Sequence, residues 1–537
     1  MRHKPARGFR LPALVLALAV SAGFATPAAH AAEVPEAPLI SSRTYPPAPH
    51  PGGGVGVAGA FELQASDVVK FVYSFSHDSG EALDHEVTAD ADGKATIHWT
   101  PRASGVQQLF ARSVNSAGQH SAQQRYEFFV LPGAGAVAHW ALDYTWVDTN
   151  GRNPLTSNGF VDGHALGHGN RAVAFDGQQD HLSGVAPVDT SKNFTVSAWA
   201  KVDDAARARG IVALDDSAGL YYDSAAGRWA FGMTEAADKT APRVALSRDA
   251  ALVGVWTHLT GTYETTGRTL ALHVDGVKQA EVTGVEGWQA ARLLVGWNGW
   301  NSANLDGART VDEVRVHQRT LNEAEIRKVA SDAGLRSHHK LNGGGGFTPD
   351  EVTGTSSAIG PGVEWEEDGD DRSLRFNGES YVSLRGPRIR TDRSFSVSAW
   401  ARLDLDSHED NARTVVSLVH DNTSLLDVRY GGASKKWEFV IAGTTVATAY
   451  RAELQEWTYL TAVHDKLNSE IRLYFNGVYV TKAPFTGGSA ETESDLELGR
   501  RASAGGADSF WKGGIDDVRV YAGVLSEEQI LAQAVRA

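Results

Sequence analysis

Residues 194–200 read FTVSAWA, and residues 395–401 read FSVSAWA, 201 residues later. At the same separation, WTHLT at residues 256–260 recurs as WTYLT. Further on, VDEVRV at 311–316 corresponds to IDDVRV at 515–520, now 204 residues later. A repeat of this length indicates a duplicated domain rather than a short solenoid unit. The change from 201 to 204 indicates that one loop lengthened while the framework stayed in register.

Both copies are rich in β-branched and aromatic residues, and turn signals interrupt these runs at short intervals. Asp275-Gly276 and Asn476-Gly477 are dipeptides that readily adopt the positive φ angles of tight hairpins. Capping-box spacing near the end of each copy, in Asn322/Glu325 and Ser526/Gln529, predicts one helix there. We therefore predict antiparallel β-sandwiches, each followed by a short helix.

Composition and pattern divide the chain into four segments. Residues 1–31 carry basic residues, then an apolar run and Ala-His-Ala, which is typical of a secretory signal peptide cleaved near Ala31. Residues 32–133 contain a Pro/Gly-rich stretch and short alternating runs, which favour an Ig-like β-sandwich. The two repeated modules occupy residues 134–334 and 335–537. We expect a protein that is secreted to the extracellular space.

Composition excludes several classes of function. Cysteine is absent from the 537 residues, which excludes thiolate chemistry and zinc-thiolate sites. The formal net charge is −15 at pH 7, and such an acidic chain repels phosphate backbones. We therefore expect no nucleic-acid partner. No apolar run after the first segment approaches the length of a membrane span, so we expect no membrane insertion.

The ordered motifs resemble the LamG-like jelly roll of the concanavalin A-like lectin and glucanase superfamily. The first copy carries FDG, FTVSAWA, WTH, HVDG, VDEVRVH and LNEAEI, and the second carries FNG, FSVSAWA, YFNG, LGR, GIDDVRVY and LSEEQI. The resemblance implies an all-β protein, with an Ig-like β-sandwich followed by two tandem jelly rolls that each end in a short helix. It does not imply one function, because the superfamily includes lectins, carbohydrate-binding modules, adhesion domains and glycosidases.

The resemblance favours non-catalytic recognition of a carbohydrate. The partner would be an extracellular glycan, bound with avidity from two linked modules. An alternative is an adhesive or structural protein that binds a cell-surface or matrix protein through the same surfaces. A second alternative is a glycoside hydrolase of the laminarinase-like type.

The hydrolase alternative depends on Glu493, Asp495 and Glu497. Their E-x-D-x-E spacing puts three carboxylates on one face of a strand, where two could act as nucleophile and general acid. The equivalent stretch of the first copy, residues 290–294, carries no carboxylate. An acidic loop that leads into a solvated strand explains the pattern better, so we expect no catalytic residue.

A loop with two Trp residues is the best candidate for stacking on a sugar ring. It comprises Trp297, Asn298, Trp300 and Asn301, and Trp511 lies close to the corresponding segment of the second copy. The alternative is a loop packed on its own sheet, because Trp is mostly buried in proteins.

Other aromatic residues are expected to be structural. Strand parity places Trp199 on the face opposite Val196, and because Trp400 recurs at the same point we predict that both belong to the core. His168, in a Gly-rich loop, and the pair at residues 338–339 are expected to be solvated.

Jelly rolls of the type that this chain resembles often carry one structural calcium ion, which takes oxygen ligands. The resemblance therefore suggests pairs of oxygen-bearing residues aligned between the copies: Asp143 with Asn342, Asp176 with Asn377, and Asp312 with Asp516. The last pair alone keeps a carboxylate in both copies. For Asp176 the alternative is turn formation. No other cofactor is expected.

Overall fold

The structure of the chain is a computed structural model. It describes residues 34–75, 83–168, 171–176, 180–297, 306–307, 310–369, 371–405, 411–487, 494–503 and 505–535. The described residues form two compact units. The smaller takes its residues from Met1–Ile40, Glu62–Ala95 and Leu109–Arg125, and the larger from Ser41–Phe61, Thr96–Gln108 and Tyr126–Ala537.

Short strands occupy the region before residue 134. They are β1 Leu39–Ser41, β2 Pro51–Gly54, β3 Gly59–Gln64, β4 Lys70–Phe75, β5 His85–Thr88, β6 Lys94–Trp99, β7 Gly105–Val114 and β8 Gln124–Leu131. In the smaller unit, β4 pairs antiparallel with β5 and with the second half of β7. In the larger unit, the buried Tyr45 packs its ring against Phe61 and Phe128, with centroids 5.9 and 5.6 Å away.

The next strands form a jelly roll of two facing sheets, called jelly roll 1. Its elements are β9 Ala138–Trp140, β10 Thr156–Asn158, β11 Val161–Leu166, β12 Arg171–Phe175, β13 His181–Val185, β14 Phe194–Lys201, β15 Arg209–Leu214, β16 Ala218–Asp223, β17 Arg228–Glu235, β18 Asp238–Leu246, β19 Thr257–Glu264, β20 Thr269–Val274, β21 Val277–Val282, β22 Arg292–Val295, β23 Asp306–Gly307, β24 Thr310–His317 and α1 Glu323–Ser331. The sheet that α1 contacts, called the helix-side sheet, has the order β11-β12-β24-β14-β19-β20-β21, with β9 paired to β24. The opposite sheet has the order β10-β13-β22-β15-β16-β17-β18, with β23 paired to β15.

Jelly roll 2 repeats this plan. Its elements are β25 Gly334–His339, β26 Phe347–Pro349, β27 Ser356–Ala358, β28 Val363–Asp368, β29 Asp371–Asn377, β30 Val382–Ile389, β31 Phe395–Leu403, β32 Arg413–His420, β33 Thr423–Gly431, β34 Lys436–Ile441, β35 Thr444–Ala447, β36 Trp457–Asp465, β37 Glu470–Phe475, β38 Val478–Pro484, β39 Ser494–Leu498, β40 Arg501–Ser503, β41 Gly506–Asp508, β42 Lys512–Ala522 and α2 Glu527–Gln533. The helix-side sheet is β28-β29-β42-β31-β36-β37-β38, with β25 paired to β42, and the opposite sheet is β30-β39-β32-β33-β34-β35. The predicted all-β class with two tandem jelly rolls is confirmed.

Two of the repeated motifs, FTVSAWA with VDEVRV in the first copy and FSVSAWA with IDDVRV in the second, lie on neighbouring strands. Trp199 lies opposite Asp312 between β14 and β24, and Trp400 lies opposite Asp516 between β31 and β42. The register shifts at this point in both copies, which is a β-bulge. In each copy the Oδ1 atom of the aspartate accepts the N–H of the next residue at 2.9 Å. In each copy, the aspartate of one motif stabilises a bulge that lies opposite the Trp of the other motif. The two motifs therefore recur together.

The predicted turns and caps are confirmed. Asp275 and Asn476 have φ angles of 48° and 49°, and the glycine after each is also at positive φ, which lets both hairpins close tightly. Asn322 and Ser526 cap the two helices, each in a complete capping box. Within the described residues, no helix is both long and apolar enough to cross a bilayer.

Several histidines of jelly roll 1 are buried in the helix-side sheet. Burial lowers the pKa of His258 to about 3 and the pKa values of His273 and His317 to about 4, so their rings are neutral. In jelly roll 2, Tyr459 takes the place of His258, and its hydroxyl donates to Ser398 Oγ at 2.9 Å. The equivalent Ser197 hydroxyl and the Nε2 atom of His258 are both buried without a hydrogen-bond partner. The expectation that residues 338–339 are solvated is wrong, since His339 is completely buried on β25.

His258→Tyr should make the protein less sensitive to acid. The folded pKa of His258 is about 3 against an ordinary value of 6.5. Above pH 6.5 the imidazole is neutral in both the folded and the unfolded chain and does not affect the free energy of unfolding. Between pH 6.5 and 3 only the unfolded chain binds the proton, so the free energy of unfolding decreases as the pH falls. Between pH 7 and pH 4, the variant should lose about 2–3 kcal/mol less of its free energy of unfolding than the wild type. Urea unfolding at both pH values measures this.

The duplicated position supplies the control. Tyr459→His should introduce acid sensitivity into jelly roll 2, since it places an imidazole in the same buried setting. An unchanged pH dependence in His258→Tyr would contradict the assignment of acid sensitivity to His258.

Candidate functional site

Trp199 lies on the outer face of the helix-side sheet of jelly roll 1. The sandwich core contains Val196 and Ala198 but not Trp199, in agreement with strand parity. Even so, Trp199 is only 7% exposed, because the imidazole of His168 stacks on its ring. The two ring centroids are 3.5 Å apart and the planes differ by 9°. Trp199 is therefore buried, as predicted, but on the outer face of the sheet rather than between the two sheets. The prediction that His168 is solvated is wrong, since it is 4% exposed.

The position of His168 is fixed from two sides. Its backbone N–H donates to Oδ2 of Asp312 at 2.8 Å, which connects the loop to the bulge described above. The ring of Trp256 meets it edge-on, with centroids 6.5 Å apart. Burial and the nearby guanidinium of Arg336 hold the pKa of His168 well below its usual range, so the ring is neutral. His168 therefore acts as an aromatic surface rather than as a charge.

A cleft opens beside these rings, where jelly roll 2 approaches jelly roll 1 within the larger unit. The cavity has a volume of about 260 Å³. His168, Trp199 and Trp256 line it from jelly roll 1, and Ile389 and Leu467 line it from jelly roll 2. Trp256 is the half-buried member of the aromatic set, and Lys201 Nζ lies 5.6 Å from its ring centroid.

Two polar contacts join the walls of the cleft. Oδ1 of Asp275 accepts the N–H of His258 at 2.9 Å, and Oδ2 of the same carboxylate forms an ion pair with Arg393 of jelly roll 2. The guanidinium of Arg336, just after the junction of the two modules, donates to the carbonyl of Gly167. The cleft is therefore framed by contacts that depend on both jelly rolls.

Basic side chains predominate among the charged groups of the cleft. Arg336, Arg390, Arg393 and Lys466 line it together with Asp275. The arrangement offers an apolar aromatic surface and several donors of hydrogen bonds, which suits a small polar ligand with a flat apolar face.

The predicted Trp loop is described in part. Trp297 is half-buried, and its ring centroid lies 5.4 Å from that of His181. Asn298, Trp300 and Asn301 lie outside the described residues. Sugar binding at this loop stays a prediction.

Trp511 is not a surface residue. It is completely buried in the core of jelly roll 2, with its ring centroid 5.9 Å from that of Trp437. Its indole N–H donates to the carbonyl of Gly514 at 3.2 Å. No face of the ring is available to a ligand, so the prediction of a binding role for Trp511 is wrong.

Three of the predicted calcium ligands use their oxygens within the fold. Both carboxylate oxygens of Asp312 accept backbone N–H groups, and Oδ1 of Asp516 accepts the N–H of the next residue. Oδ1 of Asp143 accepts the N–H of Arg171 at 2.9 Å, and burial raises the pKa of Asp143. These contacts give the three residues a structural role without an ion.

The other three candidates lie in turns and loops. The N–H of Asp176 donates to Asp180 at 2.7 Å, Asn377 Oδ1 accepts the N–H of Glu379 at 2.9 Å, and Asn342 is exposed. In the part of the chain that the structure describes, no group of three or more His, Asp or Glu side chains could hold a metal ion. A structural calcium ion stays a prediction.

Of the carboxylates considered for hydrolysis, Glu497 is ion-paired and Asp495 is exposed. Glu497 is 5% exposed, and Arg500 contacts it through two hydrogen bonds of 2.6 and 2.7 Å. Ser383 also donates to Glu497 at 2.9 Å, and Glu493 lies outside the described residues. Two strands away, burial raises the pKa of Asp427 to about 6. The pattern in the sequence thus corresponds to an ion-paired strand face.

Sequence reasoning missed the cleft residues His168, Trp256 and Arg393. They lie in segments far apart in the chain, and although Trp256 opens the repeated WTHLT motif, nothing in the sequence shows that the three residues meet. One signal was present in the comparison of the two copies, because Asp275 of the first copy is Asn476 in the second. A charged residue that replaces a neutral one at a duplicated turn indicates a contact made by one copy alone.

Trp511→Ala should unfold jelly roll 2 at lower denaturant than the wild type. Loss of a completely buried indole costs about 3–5 kcal/mol, as transfer and cavity terms add. Trp297→Ala, at the half-buried position, should cost much less. Urea unfolding followed by Trp fluorescence and circular dichroism measures both, and an equal, small cost for the two variants would contradict the core position of Trp511.

A family model described as the Concanavalin A-like lectin/glucanases superfamily matches residues 175–327 and 376–531, more than half of the chain. The chain belongs to this superfamily. Each matched range falls within one jelly roll, so the superfamily domain occurs twice in tandem, as the repeated motifs predict. Comparison with curated protein sequences finds no match.

Solved structures of related fold show low similarity to this member of the superfamily. Domain 4 of an extracellular GH43 arabinanase from Geobacillus stearothermophilus, in complex with arabinotriose, is 18% identical, with a TM-score of 0.31, over 38% of this chain and 99% of that chain. Domains LG4-5 of the mouse laminin alpha1 chain are 13% identical, with a TM-score of 0.23, over 67% and 88%. The CBM40 of a Ruminococcus gnavus sialidase, bound to alpha2,3 sialyllactose, is 14% identical, with a TM-score of 0.27, over 30% and 96%. Similarity this low says nothing about the ligand of this chain.

Proposed function

We propose that the chain is a secreted, non-catalytic carbohydrate-binding protein whose binding site is the cleft between the two jelly rolls. The observation that carries the proposal is the half-buried indole of Trp256 beside the stacked pair of Trp199 and His168, in a cavity of about 260 Å³. The C–H faces of sugar rings pack on aromatic rings, and a few polar groups then fix the orientation of the sugar. The arginines of the opposite wall supply such groups.

Membership of a superfamily named after lectins and glucanases supports the carbohydrate as ligand. The distribution of carboxylates supports binding without hydrolysis. Most glycosidases place two carboxyl groups on either side of the glycosidic bond that they cleave. Among the described residues that line the cleft, Asp275 supplies the carboxylate, and it is ion-paired with Arg393. The predicted signal peptide supports secretion.

The shape of the cleft favours a small ligand over a protein partner. A specific protein–protein interface buries about 800 Å² on each partner, usually over a broad surface. The cavity here is concave and small, with a volume of about 260 Å³. Adhesion to a matrix protein through the same residues is therefore the weaker interpretation.

Trp256→Ala should weaken glycan binding at least about tenfold, because the variant loses the aromatic surface on which a sugar ring packs. The matched control is Trp457→Ala, at the equivalent position of jelly roll 2. Trp457 is also half-buried, and Arg402 lies 5.0 Å from its ring centroid, much as Lys201 lies 5.6 Å from that of Trp256. Unlike Trp256, it does not line the cleft. This control should bind within about twofold of the wild type.

The measurement is a glycan array with the full-length mature chain, followed by titration calorimetry with the best-bound oligosaccharide. Melting temperatures of both variants establish that they are folded. Silence across the whole array would contradict carbohydrate binding. Equal losses of glycan affinity in the two variants would contradict the location of the site in the cleft.

A further inference from the structure

The charges that line the cleft are strongly unequal in sign. Arg336, Arg390, Arg393 and Lys466 face one described carboxylate, that of Asp275, which leaves a formal excess of three positive charges. The whole chain, in contrast, carries a net charge of −15 at pH 7. A concave site with low-dielectric walls concentrates the field of its own charges, so the cleft attracts anions although the protein as a whole repels them.

Ion pairs within the protein compensate part of this excess. Arg393 pairs with Asp275, and Arg390 pairs with Asp392 through hydrogen bonds of 2.8 and 2.9 Å. Lys466 is exposed at the cleft and forms no ion pair with any described residue. Its ammonium group is therefore a positive charge that a ligand can approach.

The aromatic and the basic side chains belong to opposite walls. Trp199 and Trp256 come from jelly roll 1, whereas Arg393 and Lys466 come from jelly roll 2. A ligand between the walls would contact an indole ring on one side and cations on the other. The hydroxyl groups of a neutral sugar would accept hydrogen bonds from these cations but would leave the excess of positive charge uncompensated.

We propose that the ligand of the cleft is an anionic saccharide, whose ring packs on Trp256 while its carboxylate or sulfate faces Arg393 and Lys466. This inference rests on the proposed carbohydrate binding and adds the charge of the ligand. Because Arg393 is ion-paired with Asp275 across the cleft, a bound anion shares a guanidinium that already joins the two walls. Binding of the acidic group thus depends on both jelly rolls.

Titration calorimetry with the full-length mature chain and three matched trisaccharides tests the proposal. The probes are trigalacturonic acid, its carboxyl-reduced neutral form, and the O-sulfated form of that neutral trisaccharide. We expect an anionic probe to bind at least about tenfold more tightly than the neutral probe at low salt, which two or more charge contacts supply. The preference should shrink as salt screens the charges. The tighter of the two anionic probes identifies carboxylate or sulfate as the source of the charge.

Lys466→Gln isolates the contribution of charge. It should weaken the anionic probe about two- to fivefold, as expected for one exposed charge contact, and weaken the neutral probe less, because Gln still donates hydrogen bonds. Lys482→Gln is the control, because Lys482 is exposed on β38, away from the cleft lining, and its loss changes the net charge equally. This control should keep the preference.

The failure of this inference differs from the failure of the proposed function. Equal affinity for the neutral and the anionic probes would overturn the anionic ligand and leave carbohydrate binding in place. Equal losses in Lys466→Gln and Lys482→Gln would also overturn it. Lack of binding to all three probes, together with silence across the glycan array, would overturn both.

Discussion

The arrangement of the two jelly rolls depends on the carboxylate of Asp275. One of its oxygens accepts the backbone N–H of His258 and so fixes the hairpin turn in which Asp275 itself lies. The other oxygen forms an ion pair with Arg393 of the second jelly roll. In the second copy, Asn476 makes the equivalent contact with the N–H of Tyr459 at 2.8 Å, but an amide has no second anionic oxygen. Both copies thus have the same turn geometry, and the carboxylate of Asp275 in place of the amide of Asn476 adds a contact between the two jelly rolls.

The outer face of each helix-side sheet poses the same packing problem, and the two copies solve it differently. The ring of Trp199 packs against His258, and the ring of Trp400 packs against the equivalent Tyr459, with centroids 5.2 and 5.1 Å apart. Trp199 is covered in addition by the stacked ring of His168. Both Trp residues are 7% exposed. The fold requires that the large ring at this position be buried, but the residues that bury it differ between the two copies. In jelly roll 1 the covering residue, His168, also lines the cleft between the two jelly rolls.

The fold could be predicted because its signals are local. Alternating strands, Asp-Gly and Asn-Gly turns and capping boxes are each determined by a few neighbouring residues. Because the duplication repeats these patterns, each prediction made in one copy is checked by the same pattern in the other. The cleft could not be predicted in the same way, because His168, Trp256 and Arg393 meet only after both sandwiches have formed. Trp511 shows a further limit. A Trp next to a Gly-rich segment has the same sequence pattern whether it lies in an exposed loop or, as here, fills a core against another Trp.

The position of the cleft at the junction of the two jelly rolls determines how many ligands one chain could bind there. A site within each jelly roll would give a tandem pair two ligands and let the chain grip a polymer at two points. A site built from the facing walls of neighbours arises once per junction, so two jelly rolls offer one such site. Under the proposed function, the duplication supplies the two halves of one binding site rather than two binding sites, and strong attachment to a surface would require several chains side by side.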